Sequence, residues 1–277
     1  MYLSEDELKK VQSIELEMLV EIDRICRKYN IPYTLDSGTL LGAIRNKGFI
    51  PWDDDADIVM TRDAYERFFE VCKTQLDTKK FFLQDYRNEK EYRWGYPKMR
   101  RKDSLLIRED QTTLPWHQGI FVDIFVYDNV PDNWFIRRVH LLFCFIIRKI
   151  QYAIIGKENA KSFLLRQWYK ILMKIPVNTL FYVLEKVYRQ CNRHPTKLQR
   201  HMTYPYRKKC RYGLPSICFE EQIEMAFENH SFLCSKEYDT YLTVLYDDYM
   251  SPPPDEEKKH TEFKILKLPN SGGQNLL

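Results

Sequence analysis

No Cys-x-x-Cys pair occurs among the seven cysteines of the chain, and their number is odd. A disulfide framework needs paired cysteines, and a redox motif or zinc ribbon needs the close pair, so neither is indicated. Cys191, His194, His201 and Cys210 come nearest to a zinc set, but their spacings match no zinc pattern. Scattered thiols fit a reducing compartment, and the expected location is the cytoplasm. The first residues, Met1 to Leu8, are acidic and amphipathic and lack the apolar core of a secretion signal. A long uncharged apolar run is also missing. In the most apolar block the longest such run is Val139 to Ile147, far short of the roughly 20 residues that cross a bilayer. No nucleic-acid-binding motif accompanies the basic charge, so no nucleic-acid partner is expected.

With 277 residues, 44% of them hydrophobic, the chain can form one large domain or two small ones. Its net charge of +4 hides an asymmetry. Between Arg137 and Lys209 there are 17 Lys or Arg against only Glu158 and Glu185, a balance of +15, so the remainder carries −11. This block is rich in large apolar residues, among them Trp134, Phe135, Leu142, Phe145, Ile146, Phe163, Leu164, Trp168 and Tyr182. Its periodicity predicts three helices with a break at Pro176. Basic, aromatic, amphipathic helices suit an anionic bilayer surface, here the inner face of the cell membrane. They equally suit a helical subdomain packed on the core with its Lys and Arg solvated, and both readings stay open.

The most informative stretch is residues 35–60. A Ser37-Gly38 turn precedes a short helical segment, and four of the five residues 53–57 are aspartates. Backbone N–H groups of a turn and a helix N-terminus attract an anion, and carboxylates supply hard oxygens for Mg²⁺. Ile31 to Leu35 reads as a buried strand. Ser37 or Thr39 can cap a helix running to Asn46, with Gly48 as its stop. A second strand is expected from Asp55 to Met60. Side chains two apart share a strand face about 6.6 Å apart, so Asp55 and Asp57 point together. Asp53 and Asp54 are expected in the loop or behind the site. A third acid, Asp123, lies in the apolar run Gly119 to Phe125 and needs a metal, a cation or several hydrogen bonds. Its plainer alternative is a salt bridge to a buried arginine.

These residues carry a resemblance. Residues 36–45, 48–58, 119–125 and 241–254 closely resemble, in order, the motifs of the LicD family, phosphocholine-transferase relatives of fukutin in the nucleotidyltransferase superfamily. Two departures stand out: Asp247 where the family usually has Gly, and Val126-Tyr127 in place of its usual Pro-Leu. The resemblance implies an α+β nucleotidyltransferase fold, a mixed sheet flanked by helices, with the basic helices inserted. It implies a core over 1–132, a helical subdomain over 133–210, a part completing the core over 211–258 and a flexible tail over 259–277.

The implied activity is transfer of phosphocholine from CDP-choline to a hydroxyl of a cell-surface glycan such as teichoic acid, lipopolysaccharide or capsule. The acceptor would be lipid-linked, and CMP would be released. Asp55, Asp57 and Asp123 would ligate Mg²⁺, two ions being expected and Mn²⁺ a possible substitute, with Asp123 the choice for general base. Ser37, Gly38 and Thr39 would hold phosphate oxygens, beside Arg45 in the first motif. Lys98 and Arg100 share a face of an expected strand and suit a phosphate clamp, or else solubilise an exposed edge. A quaternary ammonium binds over aromatic faces. The candidates are Trp52, Trp94, Tyr96, Trp116, Tyr246 and Tyr249. Three rival readings are transfer of ribitol or glycerol phosphate from a CDP donor, a non-catalytic membrane or partner scaffold, and a glycosyltransferase with an Asp-x-Asp motif.

Elsewhere, periodicity predicts helices over Glu5–Tyr29, Ala64–Gln75 and Lys236–Tyr246. Strands are expected at Phe81–Asp85, Tyr96–Arg100, Leu105–Arg108 and Phe121–Val126, and one at the start of Cys218–Phe232.

Overall fold

The computed structural model describes residues 2–254, 258 and 261–269; the end of the expected tail, 270–277, lies outside them. The chain opens with α1 (Glu5–Lys28), started by a capping box in which Ser4 and Glu7 bond each other's backbone N–H. Its buried stripe runs Val11, Ile14, Glu15, Met18, Leu19, Ile22 and Ile25. This i, i+3, i+4 spacing turns one face to the core, but one member is a carboxylic acid.

The next elements are β1 (Thr34–Leu35), α2 (Ser37–Asn46), β2 (Ala56–Thr61), α3 (Arg62–Gln75), β3 (Phe81–Gln84), β4 (Lys98–Arg101), β5 (Leu105–Arg108) and β6 (Phe121–Val130). Three helices follow, α4 (Trp134–Asn159), α5 (Phe163–Leu172) and α6 (Val177–Cys191), with Pro176 as the N-cap of the last. After them come β7 (Leu198–His201), β8 (Leu214–Pro215), β9 (Gln222–Phe227), β10 (His230–Ser235), α7 (Tyr238–Tyr246) and β11 (Phe263–Lys267). The fold is α+β.

The main sheet has the order β1-β2-β6-β4-β3, and β7 pairs the far end of β6 and carries β8. Only the β2–β6 contact is parallel; all other pairs are antiparallel, so the sheet is mixed. Strand β6 is its spine and is buried at nine of its ten positions. Helices α1 and α3 cover one face through Met18, Ile22, Tyr65 and Phe68, which share a core with Ile58, Ile124 and Met99.

Several sequence expectations are corrected. The left-handed residue closing α2 is Lys47 (φ 56°), not Gly48; Gly48 is instead pressed against Gly42, where a Cβ would lie 2.4 Å from the Gly48 carbonyl oxygen. Strand β4 is interior, between β6 and β3, so Lys98 and Arg100 are not on an exposed edge. The helical block ends at Cys191. Residues 198–201, grouped with it from the sequence, form β7 of the main sheet. Residues 263–267, expected in a flexible tail, form β11 against β5. Cys218 sits in a 3-10 turn before the β9–β10 hairpin. All seven cysteines are free.

The helices α4–α6 build a second, smaller core around Cys144, Ile147, Ile150, Leu180, Phe181 and Leu184. By length and composition α4 suffices to cross a membrane, but half of its most apolar window is buried inside the protein.

Candidate active site

The first turn of α2 forms one wall of a cavity of about 460 Å³. Ser37 holds a left-handed backbone (φ 46°), a conformation that costs a non-glycine residue energy and recurs at functional sites. No side-chain cap bond closes this helix, and its first residues Ser37 and Gly38 line the cavity. Asp36, behind the turn, accepts hydrogen bonds from Tyr241 (2.5 Å) and Ser37 (3.0 Å). Gly38 is required by Asp53: a Cβ there would lie 2.5 Å from the Asp53 carboxylate.

Asp53, Asp55 and Asp57 line the same cavity, Asp53 lying against the turn. Asp57 is anchored through its backbone, its N–H donating to the Thr39 hydroxyl (2.8 Å) and its carbonyl accepting from Asp36 (3.0 Å). Thr39 therefore positions Asp57. Among the described residues no hydrogen bond or ion pair reaches the Asp57 carboxylate. Burial pushes its pKa well up, reinforced by Asp55, Asp123, Asp36 and Asp53. Asp53, expected behind the site, faces the cavity and is shifted upward by burial and by Asp55. Asp55 accepts from Arg108 (3.1 Å), and Asp54 turns away to the backbone N–H and hydroxyl of Thr261 (3.1 and 3.0 Å).

One row of side chains crosses three strands. Asp57 of β2 is in register with Asp123 of β6, and Asp123 with Lys98 of β4. Asp123 shares its strand face with the cavity residues Phe125 and Tyr127. Lys98 donates to its carboxylate, so its partner is a buried lysine and not an arginine. Burial lowers the Lys98 pKa to about 8 against the pull of Asp123, and raises that of Asp123 against the pull of Lys98.

The remaining walls are Phe125, Tyr127, His201, Tyr204, Pro205, Tyr206, Arg207, Cys210, Leu245 and Tyr246. His201 Nδ1 accepts from the N–H groups of Thr203 (3.3 Å) and Tyr204 (3.1 Å), and Nε2 faces the Gly95 carbonyl (3.2 Å). Burial lowers its pKa to about 4, so it is neutral and shapes the turn carrying Tyr204.

Of the residues singled out from the sequence, Ser37, Gly38, Asp55, Asp57 and Tyr246 line the cavity. Arg45 stands outside it and donates to the Tyr249 carbonyl (3.3 Å), while the Tyr249 hydroxyl bonds Asp239 (2.6 Å). Trp52 is partly buried beneath Lys258. Arg100 is spent on Gln84 (2.9 Å) and the Gly119 carbonyl (2.6 Å). Trp94 and Trp116 pack with Tyr92 in a separate cluster, and Tyr96 packs on Phe125 and His201. Sequence reasoning missed Tyr204, Tyr206 and Arg207. Their signal was the Tyr-Pro-Tyr-Arg run just past the basic helices.

The carboxylates fit a divalent cation in chemistry, since a crowd of acids with an unpartnered Asp57 calls for positive charge. Among the described residues, however, no three His, Cys, Asp or Glu side chains converge as they stand to hold a metal ion.

A mixed sheet that presents a helix N-terminus and strand-borne carboxylates to one cavity defines a nucleotidyltransferase fold. A family model described as LicD/FKTN/FKRP, nucleotidyltransferase domain, matches residues 30–144. The lipopolysaccharide cholinephosphotransferase LicD of Haemophilus influenzae is 30% identical over 272 residues, spanning 91% of this chain and 94% of that protein. An uncharacterized protein, RP689, of Rickettsia prowazekii is 33% identical over 96 residues, 26% of this chain and 36% of its own length. The chain belongs to the LicD family, and it is an enzyme of the transferase class.

Proposed function

We propose that the chain transfers phosphocholine from CDP-choline to a hydroxyl of a lipid-linked cell-surface glycan, releasing CMP. The observation that carries this reading is a single cavity lined first by an uncapped helix N-terminus with acids and second by a cluster of aromatic rings. The first suits a diphosphate with its metal, and the second a quaternary ammonium, which has no N–H to donate and binds over π faces. Phe125, Tyr204, Tyr206 and Tyr246 supply those faces, in place of the tryptophans expected from the sequence. Similarity to a lipopolysaccharide cholinephosphotransferase over nearly the whole chain supports the choice of group and the glycan acceptor.

In the proposed step the acceptor oxygen attacks the choline-bearing phosphorus. The bond from that phosphorus to the CMP oxygen breaks, CMP leaves with the bonding pair, and the acceptor proton passes to Asp123. Asp123 is suited to this because burial raises its proton affinity while Lys98 holds its carboxylate in place. The Ser37 and Gly38 amides hold diphosphate oxygens, and Arg207 neutralises charge at the mouth. Asp55 and Asp57 would hold Mg²⁺, which when bound neutralises the diphosphate and the departing CMP, and Asp123 stays free of it to take the proton. Seven free thiols are in keeping with action on the cytoplasmic side.

The test is CMP release from CDP-choline, CDP-ribitol and CDP-glycerol in Mg²⁺. Preferential slow hydrolysis of CDP-choline is expected; preference for an alditol donor would move the chain to that activity. No turnover of any donor would support a binding scaffold.

A further inference from the structure

The basic helices leave a surface that the transfer chemistry does not use. Along α4, His140, Cys144, Ile147, Gln151 and Ile154 are buried on one face, and near its C-terminal end Ile150, Ala153, Ile155 and Gly156 are buried as well. The opposite face exposes Phe135 (67%), Val139, Leu142, Phe145 and Ile146. Alongside, α5 exposes Phe163, Leu164 (77%), Trp168 and Ile171. Isolated apolar side chains on a surface mean little, but five on one face of a helix, with four more on the next helix, mark an interaction surface. Half of the most apolar window of α4 is buried inside the protein, and the other half is not.

The three helices carry far more basic than acidic side chains. Arg138, Arg148, Lys149, Lys170 and Lys186 stand on the three helices, and from Arg137 to Lys209 the acids are Glu158 and Glu185. Glu185 is taken by Tyr86 and Arg189. Beside the patch lies a second cavity of about 180 Å³, whose lining includes Phe145, Arg148, Arg200, Tyr204 and Arg211. The Arg200 guanidinium is spent on the carbonyls of His201, Tyr204 and Arg211. No hydrogen bond or ion pair among the described residues engages the Arg148 guanidinium, whose nearest partner is the Phe145 ring, 5.5 Å from its centroid. Arg148 and Arg211 border this small cavity, no carboxylate stands in its wall, and a lipid phosphate suits arginine geometry.

We propose that the α4–α5 face docks the chain on an anionic phospholipid bilayer, with a lipid phosphate seated between Arg148 and Arg211. Aliphatic and aromatic side chains enter the interface while the basic rim meets the headgroups. Tyr204 borders both cavities, so a bilayer docked here lies next to the catalytic mouth, where a lipid-linked acceptor would arrive. The surface does not depend on which group is transferred.

The test uses the full chain and vesicles of phosphatidylcholine alone or mixed with phosphatidylglycerol. Trp134 and Trp168 are exposed on the patch, whereas Trp52, Trp94 and Trp116 are not. A blue shift and quenching by brominated acyl chains are expected with the mixed vesicles, both lost in a Trp134→Phe/Trp168→Phe variant. Arg148→Glu with Arg211→Glu should weaken binding to the mixed vesicles at least tenfold, and Phe135→Ser with Leu164→Ser should abolish quenching. Circular dichroism checks that each variant is folded. Equal binding to neutral vesicles, no partition at all, or wild-type binding by the arginine variant would overturn the proposal. So would release from the mixed vesicles by inorganic phosphate beyond the effect of chloride at equal ionic strength, which would assign the cavity to free phosphate.

Discussion

Replacing Asp57 by Asn separates what the carboxylate costs the fold from what it gives the reaction. The exchange is nearly isosteric, and both backbone contacts that hold residue 57, to the Thr39 hydroxyl and to the Asp36 N–H, are untouched. In the ligand-free protein the Asp57 charge is unfavourable, because burial and four neighbouring acids raise its pKa. Two ionised carboxylates about 6.6 Å apart repel by about 2.5 kcal/mol at an effective dielectric of about 20. Partial protonation reduces this, so the ligand-free Asp57→Asn variant should be more stable by about 1–2 kcal/mol, or a few degrees in Tm for a chain of this size. With Mg²⁺ and CDP-choline the order should reverse. A ligand at about 100 times its Kd stabilises the wild type by about 2.7 kcal/mol, and the variant should lose most of that. Turnover should fall about a thousandfold or more. The assays are thermal unfolding with and without Mg²⁺ and donor, and CMP release. Turnover within about tenfold of wild type, or equal stabilisation of both proteins by Mg²⁺, would refute a ligand role for Asp57.

Other perturbations follow from the same structure. Both oxygens of buried Glu15 lack a partner, and burial lifts its pKa well above 4.5, the aspartates of the cavity adding to the effect. The raised folded-state value means that its contribution to stability is full below about pH 4.5 and lost as pH rises through the folded pKa. Glu15→Met should therefore stabilise the protein by about 1–3 kcal/mol at pH 8 and flatten the pH dependence of urea unfolding; a destabilised variant would show that Glu15 has a partner in solution. Tyr204→Ala should raise KM for CDP-choline by roughly three- to thirtyfold, for a cation–π contact of about 0.5–2 kcal/mol, and leave CDP-glycerol hydrolysis nearly unchanged. Equal effects on both donors would remove Tyr204 from choline recognition. Arg100→Met should cost about 2–4 kcal/mol, by stranding the Gly119 carbonyl and Gln84, with little change in kcat per folded molecule; a large kcat loss in a stable variant would restore Arg100 to the site.

The local parts of the site were legible in the sequence, and the long-range parts were not. Asp55 and Asp57 do line one cavity, but β2 begins at Ala56, so the strand period used to pair them does not reach Asp55, and Asp53 lines the cavity too. That Asp123 faces Asp57 and Lys98 faces Asp123 follows from strand register, which no local spacing encodes. Tyr204 and Tyr206 were missed because β7 is four residues long and sits at the end of a basic helical block. Glu15 gave no signal in the sequence, because a carboxylic acid in an amphipathic helix is expected on its solvent face, whereas the structure buries it. The tail looked polar and loose, but Thr261 holds Asp54 and β11 pairs with β5, so it braces the aspartate loop.

The most direct measurement supplies CDP-choline labelled in its choline methyl groups to membranes bearing the glycan acceptor, with Mg²⁺ and either the wild-type chain or Asp57→Asn. The account predicts label in the glycan fraction as phosphocholine, CMP in equal amount, and neither with the variant. CMP without labelled glycan, or label transferred equally by Asp57→Asn, would contradict it.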